Sequence, residues 1–450
     1  MPPPNTPDRP KGILTVSTPV PDDAQVRALI EAAERAFLQG QSADSERLLA
    51  TARSVAPDHP AVLGACGAQA LRSGDAATAK GLIERALESE RTSPGLYLNL
   101  ATALRALDDP EGELRALQQA LTLEPYFFLA LIQKASLFER LGMKRLAART
   151  YQNALLTLHP DAQLPASWQP LIEYARRTVF ANLNDLDMWL RERMRETRER
   201  HAQARQDRVD DCLSVIVGKK RIYVQQPQQT HFPRLPAIEF FDRADFPWLA
   251  AVEGATDDIR AELLRLLDES REDFTPYLTH DSAAPLKQWR ELNRSRKWSA
   301  LFLYKDGEPQ AQNLARCPRT VAALAGAPLA RVPYRAPTAL FSLLEPKTRL
   351  PAHTGSTNTR LTVHIPLIVP PGCGFRVGSE VREWQPGTAL VFDDTIEHEA
   401  WNDSDQLRVI LIFDIWNPLL TPAEQDLMAI ATAAMAEFYG TESGAGVPAL

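Results

Sequence analysis

No stretch of this 450-residue chain approaches the roughly 18 uninterrupted apolar residues of a membrane-spanning helix, so no membrane anchor is expected. Cysteine is scarce. Cys66, Cys212, Cys317 and Cys373 lie far apart with no CxxC pair, a pattern that fits a reducing compartment and no structural zinc. A basic surplus is missing too, and a net charge of −7 argues against a nucleic-acid partner. The N-terminus, MPPPNTPDRPKG, lacks a basic start followed by an apolar core, which leaves a cytoplasmic protein as the default expectation. What is present is an ordinary globular composition, 44% hydrophobic and 24% charged, in a chain long enough for two or three domains that need no disulfides.

Residues 1–22 are rich in Pro, Thr and Asp and read as a disordered tail. A repeat follows over 23–160. Ala52, Ala86, Ala120 and Ala154 are each 34 residues apart, and Gly40, Gly74 and Gly142 keep that spacing with Asp108 in the missing slot. A small residue in the second helix, a Gly at the turn and Pro57 and Pro125 after it resemble the tetratricopeptide repeat, with Ser45 and Glu113 standing where that pattern prefers Ala. Three repeats plus an N-terminal one suffice for a solenoid, which is either a helical spacer or a peptide-binding groove. Residues 161–232 read as a helical connector, whose RERMRETRERHAQARQDR interleaves Arg with Glu and Asp as a solvated helix face does.

From 233 to about 440 the texture changes to short strands, Pro and Gly turns, and aromatics. TALFSLLE, TRLTVHIPLIV, TALVFDD and QLRVILIFDIW read as strands, and Pro386-Gly387 supplies turn chemistry between two of them. Helical signals remain in ATDDIRAELLRLLDES and in the last TPAEQDLMAIATAAMAEFYG. The expected fold is a multidomain α plus β chain: an α-helical repeat solenoid, then a double-stranded β-helix (jelly roll) with flanking helices.

Three of the eight histidines, His353, His364 and His398, fall within 46 residues of this second half. Strand alternation puts Leu361, Val363, Ile365 and Leu367 on one face and Arg360, Thr362 and His364 on the other. Arg408 shares a face with Ile410 and Ile412, and an inward Arg is costly unless an anion, such as an organic acid, meets it. Non-haem iron is normally held by two His and one carboxylate, the first pair arriving as His-x-Asp or His-x-Glu. Here the triplet is His353-Thr354-Gly355, and its missing carboxylate, taken alone, counts against a metal.

The motifs HTGSTNTRL, FDDTIEHEAWN and QLRVILIFDIW resemble those of the aspartyl/asparaginyl β-hydroxylase family of 2-oxoglutarate oxygenases, over about 235–418. That resemblance implies that His353 and His398 bind Fe(II), with water in the place of the missing carboxylate at Gly355. It implies further that Arg408 and Ser342 clamp the far carboxylate of 2-oxoglutarate, that His364 lies near its metal-chelating end, and that Trp298 flanks the cosubstrate pocket. Thr362 departs from the basic residue that well-known animal members carry beside His364. The loop acids Asp393, Asp394, Glu397 and Glu399 either orient His398 or form a solvated loop, and Asp394 is the one singled out to orient it. The implied activity consumes O2 and hydroxylates an unactivated C–H, chiefly the β-carbon of Asp or Asn in a protein or peptide that the repeats help to recruit. A lipid acyl chain or small molecule, or a repeat-based binding protein with an inactive oxygenase domain, are the alternatives.

Overall fold

The computed structural model describes residues 23–159, 163–279 and 287–443, in two compact units that meet in sequence at Gln206–Asp207. The tail expected over 1–22 lies outside the described residues.

The first unit is helical. Eight helices form four antiparallel pairs: α1 (Asp23–Leu38) with α2 (Ser42–Val55), α3 (Pro60–Arg72) with α4 (Ala76–Ser89), α5 (Pro94–Ala106) with α6 (Pro110–Leu123), and α7 (Phe128–Arg140) with α8 (Lys144–Leu156). The 34-residue series explains the close pairing, because Ala52, Ala86, Ala120 and Ala154 are all fully buried between helices. Gly40, Gly74 and Gly142 turn each pair with φ of 76°, 83° and 75°, and Asp108 takes the same left-handed conformation at 57°, which Asp tolerates better than most side chains. Where the pattern departs from Ala at Glu113, the carboxylate is wholly buried and is answered by an ion pair with Arg140. A long helix, α9 (Gln169–Arg200), packs on α8, burying Ile172 and Ala175 beside Phe128 and Tyr151.

The second unit starts with α10 (Asp207–Ile216) and an extended arm, then α11 (Leu249–Gly254) and α12 (Thr256–Glu269). Next come β1 (Thr275–Pro276), β2 (Trp298–Lys305), β3 (Glu308–Pro309), the short helices α13 (Ala311–Arg316) and α14 (Pro318–Leu324), β4 (Ala339–Leu344), β5 (Thr348–His353) and β6 (Arg360–Ile368). The chain continues through β7 (Cys373–Val377), β8 (Glu380–Arg382), β9 (Leu390–Phe392), β10 (His398–Asn402) and β11 (Arg408–Trp416) to α15 (Pro422–Ser443). All strand pairings are antiparallel. One sheet runs β1-β2-β4-β11-β6-β9 with β3 on β2, and the other runs β5-β10-β7-β8. This layout is compatible with a jelly roll.

Alternation decides what each strand does. Phe341 and Leu343 of β4, Val363 and Ile365 of β6, and Leu411 and Phe413 of β11 bury against α12 residues Ile259, Leu263 and Leu266. The opposite faces, Leu340 and Ser342, Thr362 and His364, and Arg408, Ile410 and Ile412, line a cavity of about 560 Å³ that His353, Phe375 and His398 of the smaller sheet close from the other side.

The stretch expected to connect the two halves divides between them. Its last part belongs to the β-rich unit: Gln226 N donates to Thr395 O at 2.7 Å, Gln228 N to Gly355 O at 2.9 Å, and Phe232 N to Asn358 Oδ1 at 2.7 Å. Backbone pairing of this kind carries no hydrophobic period and is invisible in the side-chain pattern.

Candidate active site

His353 ends β5 and His398 begins β10, and the two are register partners, so their rings lie side by side with centroids 4.1 Å apart and planes tilted by 52°. Each ring is oriented by its own backbone. His353 Nδ1 lies 2.7 Å from Pro351 O, and His398 Nδ1 lies 3.0 Å from Ile396 O. A carbonyl only accepts, so both Nδ1 atoms carry hydrogen and both Nε2 lone pairs are left for a metal. Burial lowers the pKa of His353, and burial followed by repulsion from His353 holds His398 well below the ordinary value, so the pair is neutral at neutral pH.

The position without a carboxylate is not empty space. A Cβ on Gly355 would lie 2.2 Å from Asp394 Cγ and 2.3 Å from each of its carboxyl oxygens, so Asp394 fills the volume that an Asp at 355 would take. Thr362 Oγ1 donates to Asp394 Oδ2 at 3.3 Å. Removal from water pushes Asp394 up to about 7, with Arg360 partly opposing the rise. Among the described residues no third His, Cys, Asp or Glu joins the two histidines in a metal-sized cluster.

At the deep end of the cavity Arg408 is 1% exposed, and its Nε has no hydrogen-bond partner. Its guanidinium lies 4.9 Å over the Trp384 ring, with only a long contact of 3.5 Å from Nη1 to Ser342 O, and burial lowers its pKa to about 10. A cation buried without an anion marks a site meant to receive one. Ser342 Oγ accepts from Trp298 Nε1 at 3.2 Å, which places Trp298 against the same end. His364 Nδ1 accepts from Trp384 Nε1 at 3.3 Å, so the proton of this neutral ring sits on Nε2. Burial, then Arg408, holds His364 well below its ordinary pKa.

The structure thus brings His353, His398, His364, Ser342, Arg408, Trp298 and Thr362 into one cavity. The other loop acids have different work. Asp393 accepts from Thr395 N and Oγ1 at 3.0 and 2.6 Å and braces the turn, while Glu397 and Glu399 pair with Arg376 at 2.9 and 2.5 Å. Trp289 and Trp384, which the sequence did not single out, also line the cavity; Trp289 meets His353 edge-on at 5.0 Å.

Residues 253–418 match the aspartyl/asparaginyl beta-hydroxylase family. The matched stretch takes in every strand from β1 to β11. The chain is 39% identical over 186 residues to an ornithine lipid ester-linked acyl 2-hydroxylase of Rhizobium tropici, covering 41% of this chain and 62% of that protein. Likeness to the aspartyl/asparaginyl beta-hydroxylase of Mus musculus is 32% over 174 residues, 37% of this chain and 21% of the relative. The chain therefore spans less than two thirds of either relative's length. Among solved structures, the chain is similar to a tetratricopeptide-repeat protein of Thermus thermophilus, at 17% identity and a TM-score of 0.30, covering 43% of this chain and 97% of that one.

Proposed function

We propose that this cavity belongs to an Fe(II)- and 2-oxoglutarate-dependent hydroxylase acting on an unactivated C–H, the β-carbon of Asp or Asn in a protein or peptide. The observation that carries the reading is the pairing of two free imidazole Nε2 atoms with a buried, anion-seeking arginine at the other end of one cavity. When bound, Fe(II) with O2 and 2-oxoglutarate supplies the oxidation, 2-oxoglutarate leaving as succinate and CO2.

The protein's part is positional. His353 and His398 would hold the metal through Nε2, needing no proton loss because both rings are already neutral. Arg408 would take the distal carboxylate of 2-oxoglutarate in a bidentate pair, helped by the Ser342 hydroxyl. His364 Nε2–H would donate toward the cosubstrate's metal-chelating end. Asp394, packed against Gly355, would accept a hydrogen bond from water held at the metal in place of a side-chain carboxylate. Trp298, Trp384, Phe375 and Phe392 exclude bulk water from this end. The solenoid would recruit the protein substrate.

A second reading, hydroxylation of an acyl chain, is favoured by the 39% identity to a lipid acyl hydroxylase. No helix among the described residues is long and apolar enough to cross a membrane. Succinate release measured with a peptide library and, in parallel, with mixed lipid vesicles separates the two readings. Stimulation by peptides alone supports the first, and stimulation by vesicles alone replaces it with the second.

A further inference from the structure

Most charged groups lining the cavity already have a partner or a place. Arg408 faces the deep end, and Asp394 lies beside the histidine pair. Arg360 is paired with Asp414 and donates from Nη2 to Ser356 Oγ at 3.0 Å. Asp306 is exposed in the turn between β2 and β3, where it and Gly307 take φ of 53° and 86°, the positive values that an Asp-Gly hairpin turn requires. Arg335 remains. It is half-buried and lines the cavity, and among the described residues its guanidinium has neither an ion pair nor a hydrogen bond.

The loop that carries Arg335 is fixed from three sides. Val332 and Ala336 exchange both backbone hydrogen bonds at 2.9 Å, closing a loop with Tyr334 near its tip at φ 65°, a costly conformation for a residue with a side chain. The β2–β3 turn packs directly against it, since a Cβ on Gly307 would come within 2.9 Å of Ala336 O and 3.1 Å of Val332 O. Arg360 Nη1 reaches Arg335 O at 3.4 Å, tying the loop to β6 two residues from Thr362. The nearby cavity wall carries Thr338, Leu340, Thr362 and Ile412, with the Arg360–Asp414 pair and the exposed Asp306 of the turn beside them. An acidic group entering from this side meets one uncommitted cation, already held in place.

We propose that Arg335 is the specificity-determining residue that receives the carboxylate of an acidic peptide substrate, steering the neighbouring carbon toward the His353–His398 pair. The direction of steering rests on the function proposed above; the binding does not. A guanidinium whose backbone is held rigid loses less freedom when it forms two parallel hydrogen bonds to a carboxylate than one on a mobile loop does.

The test titrates the full-length protein, without metal or cosubstrate, with a blocked pentapeptide library having Asp at the centre and with the matched Asn set. Tryptophan fluorescence reads binding, since Trp289 and Trp298 lie in the cavity wall. The parent protein is expected to bind the tightest Asp members about tenfold better than their Asn partners. Arg335→Gln should reduce that preference to within roughly threefold, and Arg335→Lys, which keeps the charge but loses the planar fork, should fall between. An absent preference in the parent, or one that survives in Arg335→Gln, overturns the assignment. Should Arg335→Gln not fold, Arg335→Lys decides: a reduced preference supports the assignment and an unchanged one overturns it. Because no iron or 2-oxoglutarate is present, these outcomes are distinct from any failure of the parent to release succinate.

Discussion

At the scale of single residues, the contact between Gly355 and Asp394 makes the sharpest demand. Restoring the usual iron motif with Gly355→Asp should not improve metal binding, because the new side chain collides with the Asp394 carboxylate and adds a like charge beside it. A loss of about 1–3 kcal/mol is expected in thermal or denaturant unfolding, as for other overpacked sites. The double change Gly355→Asp with Asp394→Gly should recover most of that loss. Asp394 also sets a pH dependence whose sign follows from its raised pKa. Between the ordinary value of 3.8 and about 7, the unfolded chain binds fewer protons at this group than the folded one, so the group's effect on stability worsens as pH rises through that window. The buried neutral histidines act oppositely, losing stability as pH falls below their ordinary 6.5. Comparing Asp394→Asn with the parent isolates the carboxyl: without metal, the variant's advantage in Tm should grow from pH 5 to about pH 8, and added divalent metal should shrink it. An advantage that is flat with pH would mean that this carboxyl ionises at its ordinary value. Arg408→Ala should weaken 2-oxoglutarate by about 2–5 kcal/mol in calorimetry, with Lys recovering only part. Unchanged cosubstrate affinity would move the carboxylate clamp elsewhere.

At the scale of elements, close helix approach in the solenoid depends on residues without side chains. A Cβ on Gly67 of α3 would lie 2.6 Å from Ile83 Cγ1 of α4, so Gly67→Leu should cost about 1–3 kcal/mol in unfolding of the helical unit, read by circular dichroism. An unchanged transition would contradict the packing described. This level was the most legible in the sequence, for a physical reason: the 34-residue period records a conformational need at each turn, and even the exception, Asp108, is a residue that tolerates positive φ. Strands β4, β6, β9 and β11 were equally readable, because each is a run of β-formers, and in β6 the apolar face of Leu361, Val363 and Ile365 stands opposite Arg360, Thr362 and His364. The short β5 and β10 were not. Pro351 interrupts one, and the other is five residues long, yet their register is what joins His353 to His398. The motif showed an absence at Gly355, whereas the residue that fills it lies 39 positions away and meets it only through that register. Arg335, Trp289 and Trp384 had no local signal at all, since their place in the cavity is set by loops whose path the side-chain pattern does not encode.

At the scale of the whole molecule, the two units divide at Gln206–Asp207, and the extended arm after α10 is stitched to the β-rich unit by backbone and side-chain hydrogen bonds. Asn358 donates to Gln225 Oε1 at 3.0 Å and to Phe232 O at 2.8 Å, and Gln228 Nε2 donates to Thr354 O at 2.6 Å, beside His353. A chain beginning at Asp207 should therefore fold and bind metal and 2-oxoglutarate. One beginning at Pro233, which lacks these bonds, should be markedly less stable or insoluble. Equal behaviour of the two would show that the arm is dispensable, and failure of the longer one would make the helical unit a structural part of the site. The measurement that bears most directly on the central claim is an anaerobic Fe(II) titration of the full-length protein in the presence of 2-oxoglutarate, followed by admission of O2 and assay of succinate, with His398→Ala alongside. One Fe(II) bound per chain and succinate released by the parent, both lost in the variant, is the predicted result; succinate formed by His398→Ala at the parent's rate would contradict it.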